Sequence, residues 1–161
     1  MDLYPAQGRD RAGKTKMPAG KGFKVLEHTA DEYILAYGCS LGEAFESAAF
    51  AMSEVMTDTT TVEPRDREII EAEAEDEKAL LYLWLEKILI KFDAEGKLYS
   101  KFNVNKIERR GRVFRLEATI WGEPYDPNKH PSRTGVKAVT YHMMKVLKKK
   151  DGAAVKFLLD V

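Results

Sequence analysis

Phe23-Lys24-Val25-Leu26-Glu27, then His28-Thr29-Ala30-Asp31, then Tyr33-Ile34-Leu35-Ala36-Tyr37: two apolar-rich runs separated by a short polar segment. Each run carries a strand signal, and the polar break reads as a turn or corner. Thr and Asp suit a turn because their side chains bond their own backbone. His28 and Asp31, so close together, are also candidate ligands or acid/base groups. The plain alternative is a hydrogen-bonded corner. The far end of the chain weighs against stopping there. It runs Phe157-Leu158-Leu159-Asp160-Val161, an apolar strand signal tipped by an acid and a carboxylate. If that strand lies beside the first pair, Asp31, Asp160 and the Val161 carboxylate converge. Three anions in one place need a cation. Oxygen donors suit hard cations such as Ca²⁺ and Mg²⁺. So few donors leave the ion open to water, phosphate or a partner's side chain.

The 161 residues indicate one domain with room for a core. The 26 basic and 26 acidic residues cancel, which argues against binding nucleic acid through bulk charge. A single cysteine, Cys39, excludes an intramolecular disulfide and a cysteine-rich zinc site, and it fits a reducing, cytoplasmic setting. No run has the roughly twenty apolar residues of a membrane span. Residues 1–21 hold Gly, Pro and scattered charge, and read as a disordered tail, an expression remnant or an upstream start, with Met17 as an alternative first residue.

Gly38-Cys39-Ser40 follows the strand pair, and Ser40 with Glu43 makes a capping box. Leu41, Ala44, Phe45, Ala48, Met52, Val55 and Met56 then keep helical spacing until Thr57-Asp58-Thr59. A strand is expected from about Arg65 to Ala74. Glu75-Asp76-Glu77 opens a second helix, favourable to its dipole. From Leu80 to Phe92 this helix is apolar on most sides, which places it in the core, and Gly96 caps it. Two strands about Arg109-Arg110-Gly111, a strand from Val136 to Val146, and a hairpin through Asp151-Gly152 complete the order β, β, α, β, α, β, β, β, β. The fold class is α+β, two helices packed on mostly antiparallel sheet in one domain spanning 22–161. The order also hints at two similar βαβ-type halves.

Between the last strands lies Gly122-Glu-Pro-Tyr-Asp-Pro-Asn-Lys-His-Pro-Ser-Arg-Thr-Gly135. Its prolines and glycines forbid regular structure for most of it, and a loop this long in a compact domain is more often functional than accidental. Asp126, Lys129, His130 and Arg133 are candidate partner or phosphate contacts, as is His28. The alternative is an ordinary loop with solvated charges. No phosphate loop, nucleophile elbow or Cys-x-x-Cys pair is present.

Several segments together resemble the archease family. They are His28-Thr29-Ala30-Asp31, Leu41-Gly-Glu-Ala-Phe45, Met56-Thr-Asp58, Trp121-Gly-Glu123, Lys129-His-Pro131, Val136-Lys-Ala-Val-Thr-Tyr141 and Leu159-Asp160-Val161. They come in family order and spacing, and leave only the tail outside. The resemblance implies an accessory protein, not an enzyme, with no catalytic residues of its own. It would activate the RtcB-type RNA ligase of tRNA splicing by promoting guanylylation of the ligase histidine from GTP and multiple turnover. The ligase is the direct partner, tRNA an indirect one. The resemblance also implies a metal site, usually calcium, on Asp31, Asp160 and Val161. Rival readings are a general chaperone or oligomer modulator, a metal-dependent phosphoester hydrolase, and a tRNA-binding module.

Overall fold

Two hairpins from opposite ends of the described chain meet in one sheet. The computed structural model describes residues 18–28 and 31–161, the side chains of Glu27 and His28 excepted. Strands β1 (Gly22–His28) and β2 (Asp31–Gly38) form the first hairpin, and β6 (Ala138–Lys149) and β7 (Gly152–Asp160) the second. β2 pairs with β7, giving the order β1-β2-β7-β6. A second sheet has the order β3-β5-β4, from β3 (Asp66–Ala74), β4 (Lys97–Arg110) and β5 (Val113–Pro124). Every pairing is antiparallel. Helices α1 (Leu41–Met56) and α2 (Glu77–Glu95) pack against both sheets. The α+β class and the element order expected from the sequence are those observed. The two-halves hint is not, because only β3, α2 and β4 form a βαβ-type unit, with β5 between its strands.

The helices begin and end where local chemistry dictates. Ser40 Oγ accepts from Glu43 N–H at 3.1 Å while Glu43 Oε1 accepts from Cys39 N–H at 3.1 Å, a complete capping box. Asp76 caps α2 through Ala79 N–H, and Gly96 closes it at φ 65°, a left-handed conformation that glycine adopts without a Cβ penalty. Trp84, fully buried on α2, donates its indole N–H to Phe45 O of α1 at 2.8 Å, so the two helices are tied within the core. No described helix is long and apolar enough to cross a membrane.

The alternation of β2 and β7 assigns their faces. Ile34 opposes Phe157 and Ala36 opposes Val155 on the helix-covered face. Asp31, Tyr33, Leu35 and Tyr37 take the other, with Asp160, Leu158, Lys156 and Ala154 opposite them. Val136 to Val146 was expected to be one unbroken strand. Instead β6 starts at Ala138 and loses register between Thr140 and Lys145. Side-chain contacts hold this break in place: Tyr141 stacks on Tyr82 at 4.7 Å, and Met143, at φ 61°, offers its carbonyl to Tyr33 OH at 2.8 Å.

Candidate functional site

The β2–β7 ladder ends in an acid pair. Asp31 begins β2, Asp160 ends β7, and the two are direct cross-strand partners. Opposed residues of an antiparallel pair point to one face with their Cβ atoms about 4.5–5.5 Å apart. Both acids are part-buried, and among the described residues neither has an ion-pair partner. Like charges set directly opposite each other are destabilising. Val161 follows on the other face, its side chain packed against the main core. The incoming β5–β6 loop meets the same place: Lys137 N–H donates to Asp160 O at 2.7 Å, and Ala138 opposes Asp160. Thr29, Ala30 and the His28 side chain lie outside the described residues. No three described His, Cys, Asp or Glu side chains are grouped to hold a metal.

The β5–β6 loop is tied to the protein body. Glu123, 4% exposed at the end of β5, is the anchor. Burial opposes its charge, but Lys129 Nζ at 2.9 Å, Glu63 N–H at 2.8 Å and His130 Nε2 at 2.9 Å outweigh that and hold its pKa at about 2. His130 is 1% exposed, and its Nδ1 accepts from Asp126 N–H at 2.9 Å. That bond leaves the ring proton on Nε2, facing Glu123. Lys129 is held upward in pKa by its bond to Glu123, against a desolvation effect, and it also reaches Glu63 at 3.4 Å. Asp126 accepts from Asn128 N–H with its side chain and from Lys129 and His130 N–H with its carbonyl. Arg133 Nη1 donates to Glu54 Oε2 and Glu54 O, each at 3.0 Å, while its N–H and that of Thr134 donate to Met56 O and Val55 O. Thr57 Oγ1 donates to Pro131 O at 2.8 Å.

Asp126, Lys129, His130 and Arg133 were read as groups reaching outward. In this fold His130 is buried and presents no free ring nitrogen, while Asp126, Lys129 and Arg133 stay exposed, Lys129 and Arg133 with Glu123 and Glu54 as partners. Sequence reasoning missed Glu123 and Glu54 as their partners. The available signal was Glu123 itself: an acid directly after Gly122 at the end of a strand pattern, seven residues before a histidine. Gly122 allows this by its size, since a Cβ there would lie 1.8 Å from Leu98 O on β4. The loop thereby clamps the C-terminus of α1 and delivers Lys137 to the acid pair.

Residues 23–161 match the Archease protein family. The chain is 48% identical over 139 residues to the Protein archease of Sulfurisphaera tokodaii, covering 86% of this chain and 98% of that one. It is 43% identical over 140 residues to the Protein archease of Aeropyrum pernix, covering 87% and 97%. The solution structure of Methanobacterium thermoautotrophicum protein 1598 superposes with a TM-score of 0.77 at 42% identity, over 87% of this chain and 99% of that one. The crystal structure of a Thermotoga maritima archease, described as a possible chaperone, shares the fold at a TM-score of 0.53 and 19% identity, over 86% and 96%. A family match across nearly all the described residues, with relatives this close over nearly their full length, places the chain in the archease family.

Proposed function

We propose that this chain activates an RtcB-type RNA ligase, and that it acts through the acid pair at the end of the β2–β7 ladder. The observation that carries the reading is Asp31 opposite Asp160, two carboxylates on one face that form no ion pair among the described residues. In this reading Asp31, Asp160 and the Val161 carboxylate hold Ca²⁺, or Mg²⁺ or Mn²⁺ in its place. A bound ion supplies positive charge and open coordination positions at the sheet's end. The chain's own contribution is placement. The ladder fixes both acids at one end of a sheet, and the clamped loop holds Lys137 beside them. That preorganised end docks near the ligase's nucleotide pocket and lowers the barrier to guanylylation by positioning and electrostatics. tRNA meets this protein only through the ligase.

The test is single-turnover guanylylation of the partner ligase with wild type and with Asp31→Ala. Acceleration by wild type alone supports both the role and the site. Acceleration by both keeps the role and removes the acid pair from it. Acceleration by neither rejects the role, and suppression of aggregation by both proteins would then favour the chaperone reading suggested by the Thermotoga protein's description.

A further inference from the structure

Among the described residues the two sheets have four edge strands, and three are blunted. β1 shifts register between Val25 and Glu27, and β6 between Thr140 and Lys145. β4 shifts twice, and its Val104 N–H is taken by Glu46 Oε2 at 2.8 Å. Bulges and capped amides of this kind stop an edge from recruiting another strand. β3 has neither: its nine residues pair with β5 in unbroken register, and no described strand lies along its other side. Beside that bare edge Ile69 is 62% exposed and Ile90 of α2 is 50% exposed. With Ile70, Lys87, Ala94 and Glu95 they line a groove of about 450 Å³.

The edge sequence is complementary to itself. Arg67, Ile69, Glu71 and Glu73 of β3 are exposed, and alternation puts them on one face of the strand, with exposed Arg65 directly before it. Within one copy Glu71 and Glu73 each also lie 3.9 Å from Arg115 of β5. In an antiparallel pairing of two copies centred on Ile69, the isoleucines face each other. Arg67 then opposes Glu71 of the second copy, and Arg65 opposes Glu73, each pair occurring twice by symmetry. A register one residue off, with Ile69 opposite Ile70, would turn the outward face of one copy to the covered face of the other. A centre at Ile70 or Glu68 keeps the faces but sets Ile69 against Glu71 or Arg67. We propose that β3 is a homodimer edge, joining the three-stranded sheets of two copies into one six-stranded sheet, with Ile90 and the groove covered alongside.

Arg67→Glu and Glu71→Arg variants of the full chain test this by sedimentation equilibrium. Circular dichroism checks that each is folded. Wild type is expected to dimerise over micromolar concentrations. Either variant alone sets like charges opposite each other, and its dissociation constant should rise roughly ten- to hundredfold. An equimolar mixture of the two restores both pairs and should restore a dimer. The proposal is overturned by a wild type that stays monomeric through hundreds of micromolar, by single variants that dimerise as wild type does, or by a mixture that fails to reassociate. Ligase activation is not a readout here, so this test stands apart from that of the proposed function.

Discussion

His130 Nε2 lies 2.9 Å from Glu123 Oε2, with the histidine 1% and the glutamate 4% exposed. The contact joins a buried carboxylate to a loop that has no regular structure of its own. Glu123 has a folded pKa of about 2 against an ordinary 4.5. A depressed folded pKa contributes stability that is present above the unfolded value and lost as pH falls toward the folded one. Wild type should therefore lose stability between pH 4.5 and 2, and Glu123→Gln should show less of that loss. At neutral pH the variant should be less stable by roughly 2–4 kcal/mol, because Lys129 and His130 lose a buried charged acceptor. Urea denaturation at several pH values measures both. An unchanged acid limb in the variant would remove Glu123 from the account.

Gly122→Ala should be severely destabilising. A Cβ there would lie 1.8 Å from Leu98 O and 2.7 Å from Tyr99 Cα, which are backbone atoms of the neighbouring strand. The strands must part, or the variant fails to fold. Thermal denaturation against Gly135→Ala, where a Cβ meets nothing within 4 Å, separates the steric effect from the general one.

Met143→Gly should stabilise the fold or leave it unchanged. Met143 holds a left-handed backbone at φ 61° and its side chain is 46% exposed, so little packing is lost. Relief of that conformation is worth about 1 kcal/mol, offset in part by glycine's greater freedom when unfolded. A thermal midpoint that falls by several degrees would show that the methionine side chain holds the bulge.

Asp31→Asn should separate the acid pair's two effects. With chelator present, removing one of two opposed charges should raise stability by about 0.2–1 kcal/mol. Added calcium should raise the wild-type midpoint by the mass-action amount and leave the variant unmoved. Calorimetric titration gives the same comparison directly. Equal calcium stabilisation of both proteins would exclude Asp31 as a ligand.

Much of this architecture is legible in the sequence because local chemistry specifies it. Ser40 with Glu43, Asp76 and Gly96 mark helix ends through bonds made within a few residues. The strand runs announce themselves by composition. The meeting of Asp31 with Asp160 was inferred only conditionally, since no local signal says that β2 and β7 pair. Long-range partners were the hidden part. Nothing local to Lys129, His130 and Arg133 shows that Glu123 and Glu54 are their partners. The register break in β6 was equally hidden, because it depends on Tyr82 and Tyr33 from distant elements.

The pairing of β2 with β7 also bears on biosynthesis. Gly38 needs Ala153 as its neighbour, and both helices and four strands are translated between them. While the ribosome works through that interval, the β1–β2 hairpin has one edge bare and Ile34 without Phe157. Closure of the first sheet is consequently a late, non-local event, slow by its topology and open to wrong partners until it happens.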